Sequence, residues 1–252
     1  MSGLVATALP GIPLLAAGDD LTAVTLAGLH AAGITPQDGD CLVVASKVVA
    51  KAEGRCRRLS EVEASPAARE IALVCDKDPR LVELILAESR EVLRIRPGLI
   101  VVEHRLGFVC ANAGIDHSNL GADPDVVLLL PVDPDASAQR LRSGLQAATG
   151  VDVAVIINDS HGRAWRQGTV GVAIGVAGLL PLTDLRGGSD LFGQTLQVTV
   201  LATADEIAAA ASLLQGAAAE RSPIIHLAGV AFQPGAGRLA ELLRLRELDM
   251  FR

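Results

Sequence analysis

Two apolar runs in this chain each break into a polar turn that carries an aspartate. The first block is Phe108-Val-Cys-Ala-Asn-Ala-Gly-Ile-Asp-His-Ser-Asn119. Its apolar residues stop at Asn112, a glycine turn follows, and Asp116, Ser118 and Asn119 fall within four positions. The second block is Val153-Ala-Val-Ile-Ile-Asn-Asp-Ser-His-Gly-Arg163. A strand that ends in a turn bearing a carboxylate, a hydroxyl and an amide suits a hard cation or a phosphate. Two such strands point to one site built from both, and a fold must satisfy that convergence.

Half of the 252 residues are hydrophobic but only 2% are aromatic. The core is therefore expected to be packed from Ala, Val, Leu and Ile. With no Tyr and one Trp, stacking of nucleobases is a weak theme. The net charge of −7 argues against nucleic-acid binding, which needs a basic surface. Small phosphorylated ligands stay open, because a bound metal reverses the local field. The four cysteines show no CxxC spacing, and Cys41 and Cys110 lie in apolar runs. They read as buried thiols of a reducing cytosol. No basic segment precedes the first apolar residues, and no apolar run reaches the roughly 18 residues of a membrane span. A cytoplasmic chain without membrane contact is expected.

Periodicity and punctuation predict helices over 21–32, 66–75, 80–89, 136–148, 204–214 and 238–248. Pro134 and Gly150 bracket the fourth of these. Strands are predicted over 41–45, 126–130, 153–157, 169–174, 196–201 and 224–227, with a hairpin joining 99–103 to 108–113. Strands and helices mix without strict alternation, which favours an α+β fold over a doubly wound sheet. No repeat and no long linker divides the chain. One domain over 1–252 is expected, with a helical subdomain near 60–95.

Asp116, Asp159 and Ser160 form the first candidate constellation, an oxygen-only set suited to magnesium or manganese. Taken singly, each aspartate also reads as a cap of a turn or helix. Lys47 and Lys51 are the second, four apart after the strand at 41–45, with Ser46 at an N-cap position. That spacing puts both ammonium groups on one helix face, as an anion site or as a solvated pair. The phosphate loop GxxxxGK[ST] is absent. Gly162-Arg163-Ala164-Trp165-Arg166 is the third: two planar donor forks close to Asp159, or a surface loop anchored by Trp165. His117 and His161 neighbour the aspartates, but no histidine pairing reads as a zinc site. Gly171, Gly175 and Gly178 suggest close backbone packing and not a dinucleotide loop.

At these motifs the chain resembles the coenzyme F420-0:L-glutamate ligases, or gamma-glutamyl ligases. The matching pieces are Leu9-Pro-Gly-Ile-Pro13 with Gly18-Asp-Asp-Leu21, the run from Ser46 to Gly54, and the run from Gly107 to Asn119. Asn158-Asp-Ser-His-Gly-Arg-Ala-Trp-Arg166, Asp184-Leu-Arg-Gly187 and Asp190-Leu-Phe-Gly193 complete the series, in order. The resemblance implies GTP-dependent amide ligation. GTP phosphorylates the terminal carboxylate of a deazaflavin precursor, and L-glutamate displaces the phosphate, with further gamma-linked glutamates as an extension. It implies magnesium or manganese, with potassium as a further ion. It implies mixed sheets with packed helices in an intertwined homodimer, neither P-loop nor ATP-grasp; the nitroreductase-like C-terminal extension that some bacterial relatives carry is not expected here. By the same resemblance Leu9, Pro10, Gly11, Ile12, Ser46, Lys47, Lys51 and Asn119 line the GTP pocket. Asp116, Asp159 and Ser160 hold the metal, and Lys51, Asp116, Asp159 and Arg163 serve catalysis.

Three positions depart from the family pattern. Ala217 stands where a polar side chain approaches a metal, His161 where Phe is usual, and Asn158 where Ser precedes the aspartate. Gln215, Glu220 or water would have to replace the first, or a second metal is weakly held. Three rival functions follow: the same chemistry on another carboxylated cofactor, a metal-dependent phosphohydrolase, and a non-catalytic nucleotide-binding paralogue.

Overall fold

The computed structural model describes residues 3–117 and 123–251. In chain order the elements begin β1 (Val5–Ala8), α1 (Leu21–Ala31), β2 (Cys41–Ala45), α2 (Ser46–Ala52), β3 (Cys56–Arg58), α3 (Pro66–Cys75), α4 (Pro79–Ala87), β4 (Ser89–Arg96) and β5 (Leu99–His104). They continue with β6 (Val109–Ala111), β7 (Val126–Leu128), α5 (Pro134–Thr149), β8 (Ala154–Arg163), β9 (Arg166–Ala177), β10 (Thr183–Asp184), β11 (Val200–Leu201), α6 (Thr203–Gln215) and β12 (Ile224–Ala228). The fold is α+β with mixed sheets and packed helices.

The main sheet has the order β1-β12-β2-β8-β9. β12 runs antiparallel to both β1 and β2, β2 runs parallel to β8, and β9 returns antiparallel. β1, β2 and β8 therefore point the same way; β1 and β2 end along one edge of the sheet, and β8 runs on past it to Arg163. Their apolar runs are continuous because both faces are covered. Leu42, Val44, Val155 and Ile157 join one core with residues of α3, α4 and α5. Cys41, Val43, Ala154 and Ile156 join a second core with Ala204, Ile207, Ala208 and Ala211 of α6. Each fully buried Ile or Leu in these layers stabilises the fold by about 1.5–3 kcal/mol.

The glycines of β9 allow this close layering. A Cβ on Gly171 would lie 2.6 Å from the Ala208 carbonyl oxygen of α6, and one on Gly175 2.5 Å from Pro134 of α5. The packing expected for these glycines is what the fold contains. Between them β9 carries one extra residue: Ile157 faces Gly175 but Asn158 faces Ala173, so the strand bulges at Ile174. Asp205 accepts from the Ala173 N–H and Asp135 from the Val176 N–H, each at 2.9 Å, which satisfies amides near the bulge.

Helix punctuation works as the sequence indicates. Asp133 caps α5 by accepting from the Ala136 N–H at 3.0 Å, Pro134 opens it, and Gly150 closes it at φ +74. Three expectations need correction. The helix expected over 80–89 ends at Ala87, and the region near 60–95 is not helical throughout: residues 89–96 form β4, which pairs antiparallel with β5, and the exposed charges of that strand hide its alternation. Residues 238–248 form two short 3-10 turns, Leu239–Leu242 and Arg246–Leu248, and not an α-helix. Asp135 holds the Leu239 N–H, and Arg246 reaches Glu91 and Glu103, so the tail is drawn across β4 and β5. Strand 196–201 shrinks to β11, the base of an arm over 185–199 that leaves Leu191, Phe192 and Val198 more than four-fifths exposed. Cys41, Cys75 and Cys110 are buried and Cys56 is exposed; all four are free thiols. Among the described residues no helix is long and apolar enough to cross a membrane.

A largely buried ion cluster centres on Glu88. Arg55 and Arg105 both donate to Glu88, at 2.9 and 2.8 Å, and Arg55 also donates to the Leu130 carbonyl. Burial alone would raise the Glu88 carboxyl, but His104, Arg55 and Arg105 bring it down to about 2.

Candidate active site

The parallel pair sets the site. Ala45 at the end of β2 is level with Asn158 of β8, so Ser46 and Asp159 leave that register side by side. The crevice at the carboxyl ends of parallel strands is a common place for a ligand. Ser46 is expected at the helix N-cap; it is instead the first residue of α2, with Ala45 at the cap. Its hydroxyl donates to Asp159 Oδ1 at 3.0 Å and so holds the carboxylate of the neighbouring strand.

Asp159 does not sit in a turn, as its polar surroundings suggest. β8 continues through it to Arg163, because β9 pairs alongside, with Val172 opposite Asp159 and Gly171 opposite Ser160. Strand alternation then decides which way each side chain points. Asp159 shares the face of Val155 and Ile157, whereas Asn158 and Ser160 share the face of Ala154 and Ile156. On that second face the Asn158 and Gln215 amides exchange hydrogen bonds of 2.7 and 3.0 Å, and Gln215 also donates to the Pro223 carbonyl.

Asp116 arrives from the other sequence block. Asn112, Ala113 and Gly114 all have positive φ, a tight turn that closes on Leu130. The Asp116 backbone then pairs with Leu128, donating at 3.0 Å and accepting at 2.9 Å. Its carboxylate meets Lys47 Nζ at 2.6 Å. Ser46, Lys47, Asp116 and Asp159, with Leu128 to Leu130 as an apolar wall, line a cavity of about 20 Å³. That is room for one water or one ion. Lys51 follows Lys47 by one turn. Burial lowers its pKa first, and the like charge of Lys47 adds to this, while Cys56 and Asp116 oppose it.

A column of rings backs the carboxylate. His161 Nε2 lies 3.3 Å from Asp159 Oδ2, and its ring tilts on Phe108 at 5.0 Å. Phe108 stacks flat on His104 at 5.1 Å, and His104 Nδ1 accepts from the Leu106 N–H. Cys110 is also close enough to feel Asp159: burial, then that charge, push its thiol up to about 12.

The structure thus brings Ser46, Lys47, Asp116 and Asp159 into one cavity. Leu9 reaches the same sheet edge, where its N–H donates to the Ile224 carbonyl. Leu9 is buried, Ile12 is half-buried, and Pro10 and Gly11 are exposed on the loop that follows β1. Ser160 is exposed on the opposite face of β8, and Arg163 stands four residues beyond Asp159, where it donates to the Gln167 carbonyl at 3.4 Å. Neither lines the cavity. Asn119 lies outside the described residues. The Ser46–Asp159 bond, the ring column and the Asn158–Gln215 pair escape the sequence motifs. Glu220 folds over Gly216 and accepts from the Ala218 N–H at 2.8 Å.

The donor set fits a hard divalent cation. Two carboxylates and a hydroxyl surround an ion-sized space, and every donor is oxygen. Among the described residues no group of three His, Cys, Asp or Glu side chains gathers closely enough to hold a metal by itself. Such a site suits an ion whose shell is completed by water and phosphate oxygens.

The sequence profile described as F420-0:Gamma-glutamyl ligase matches residues 11–229. The chain is 47% identical over 252 residues to the coenzyme F420:L-glutamate ligase of Methanothermobacter thermautotrophicus, covering 99% of each. It is 42% identical over 259 aligned positions to the enzyme of that name from Methanopyrus kandleri, covering 100% of each. Against the one from Archaeoglobus fulgidus it is 44% identical over 242 positions, 96% of this chain and 94% of the relative. On the profile match and these near-full-length identities, the chain belongs to the F420-0:gamma-glutamyl ligase family.

Proposed function

We propose that this chain is an acid–amino-acid ligase that joins L-glutamate to coenzyme F420-0, using GTP and magnesium or manganese. The observation that carries the reading is the meeting of Ser46, Lys47, Asp116 and Asp159 where the parallel β2–β8 pairing ends. The names of the near-full-length relatives support carrying the activity over.

In the proposed reaction a carboxylate oxygen of the acceptor attacks the γ-phosphorus of GTP. The bond from that phosphorus to the β–γ bridging oxygen breaks, and GDP leaves. The amine of L-glutamate then attacks the acyl carbon, inorganic phosphate departs with the electrons of the C–O bond, and the surplus amine proton passes to solvent. A second cycle on the product would add a further gamma-linked glutamate. Phosphoryl transfer asks the protein chiefly for position and charge neutralisation. Lys47 and Lys51, one helical turn apart, supply cations for phosphate oxygens. The loop of Leu9 to Ile12 bounds the nucleotide on the other side of the sheet edge. Asp116 and Asp159 would hold the divalent ion, which when bound neutralises phosphate charge. Ser46 keeps Asp159 oriented, and Leu128 to Leu130 exclude water from the charged groups.

We extend the reading to a homodimer. Leu191 is 98% exposed and Phe192 87%, on an arm with its own turn, and a second copy would cover them.

Incubation of the purified chain with coenzyme F420-0, L-glutamate, GTP and manganese tests the function by mass spectrometry. The expected product is heavier by one glutamyl unit, and GDP release requires both acceptor and glutamate. Equal GDP release without them overturns the ligase in favour of a phosphohydrolase. GTP binding without turnover overturns it in favour of a non-catalytic paralogue.

A further inference from the structure

The one tryptophan of this aromatic-poor chain is not in the core. Trp165 is 89% exposed at the tip of the β8–β9 hairpin. A ring of that size in water is a liability unless something covers it. Phe251 from the C-terminal tail meets it at 6.0 Å, with the rings tilted by 58°. The two rings form an open corner. Arg163 and Arg166 flank it in sequence, on a chain whose net charge is −7. Among the described residues Arg163 Nη1 is enclosed without a hydrogen-bond partner, while its other terminal nitrogen makes a long contact with the Gln167 carbonyl at 3.4 Å. A guanidinium with an enclosed, unmatched donor is suited to a carboxylate or phosphate brought by a ligand.

The tip is also at a defined distance from the cavity. Asp159 and Arg163 belong to one unbroken strand, four residues apart, so about 13 Å separates them at the usual rise. A compact acceptor cannot touch both ends. An elongated one, with a flat ring at one end and a reacting carboxylate at the other, can.

We propose that the hairpin tip is the acceptor's ring-binding platform. Trp165 and Phe251 take the face of a planar heteroaromatic ring, and Arg163 and Arg166 take negative charge on the tether behind it. The proposal rests on the ligase reading, because it assigns a place to that reaction's acceptor. It makes Trp165 a residue that selects the acceptor and leaves nucleotide binding to the cavity at Asp159.

The test uses the full-length chain and purified coenzyme F420-0, without GTP or glutamate. Calorimetry measures acceptor affinity, and the fluorescence of the sole tryptophan reports events at the tip. The expected result is a saturable change in that fluorescence, and an acceptor affinity about tenfold weaker in Trp165→Leu, the scale of one lost stacking partner. Trp165→Phe keeps a ring and recovers most of the affinity, and GTP affinity is equal in all three proteins. Full acceptor affinity in Trp165→Leu, in a protein that still makes the glutamylated product, overturns the platform and leaves the ligase standing. A fluorescence change that follows protein concentration and ignores the acceptor also overturns it, and assigns the tip to a second copy. Absence of both acceptor binding and product in the unsubstituted chain overturns the ligase reading and the platform together.

Discussion

Asp159 and Phe192 lie on two hairpins held in different ways. The β8–β9 hairpin pairs from Val155 with Ala177 out to Arg163 with Arg166, and α5 and α6 cover its two faces. Ile156 and Ile157 beneath Asp159 are 0% and 1% exposed. The arm over 185–199 has a two-residue ladder at its base, between β10 and β11. Farther out it is shaped by its own turn: Asp190 Oδ1 accepts from the Phe192 and Gln194 N–H groups, both at 2.8 Å. Its largest apolar side chains, Leu191, Phe192 and Val198, face water. The first hairpin is a fixed mount for charged groups, and such groups need a fixed mount to act on a transferring phosphoryl group. The second is a preformed shape that holds apolar side chains out to solvent. The contrast separates residues that should control turnover from residues that should control assembly.

Asp159→Asn is the strongest way to break that contrast. It should reduce ligase turnover at least about a hundredfold, roughly 2.7 kcal/mol of transition-state stabilisation, while circular dichroism and melting stay as before. Normal turnover in the substituted protein would remove Asp159 from the mechanism.

Glu88→Ala should act on the stability of the fold and not on the charged groups of the cavity. It leaves Arg55 and Arg105 without their shared carboxylate and should cost about 3 kcal/mol in urea unfolding. The same group predicts a pH window. Its folded pKa of about 2 lies below the ordinary 4.5, so its stabilisation is present above 4.5. That stabilisation is lost as the pH falls from 4.5 towards 2. A stability curve for Glu88→Gln as steep as that of the unsubstituted chain across that window would refute the assignment.

Phe192→Asp sharpens the comparison from the other side. Sedimentation should show association weakened by about 2 kcal/mol, the scale of one buried aromatic anchor. The unfolding free energy of the monomer should stay within about 0.5 kcal/mol. An unchanged association constant would mean that the arm serves something other than a second copy.

The sequence makes some of this legible. β2 is a pure apolar run with a turn on either side, and the structure places it over the expected residues. α5 carries its own start and stop in Pro134 and Gly150. The convergence of Asp116 and Asp159 follows from two blocks of like design. β4 is hidden because an exposed strand rich in Arg and Glu loses the apolar alternation that marks a strand. Asp159 reads as a turn residue because apolarity stops at Ile157, yet the strand is continued by backbone pairing with β9, to which side-chain polarity is a poor guide. Ser46 and Asp159 are 113 positions apart, and only the β2–β8 register makes them neighbours. The ring column depends in the same way on the meeting of β6 with β8. Local periodicity carries no information about such encounters, since they are decided by tertiary packing.

The bulge at Ile174 has a consequence for how this chain can change over generations. An insertion of one residue in β8 ahead of Asp159 would exchange the two faces of that strand and turn the carboxylate towards α6. β9 already carries an unmatched residue and absorbs it by bending, while β8 keeps its phase. Length variation should therefore accumulate in the returning strand, and the outgoing strand should keep its residue count from Ala154 to Arg163.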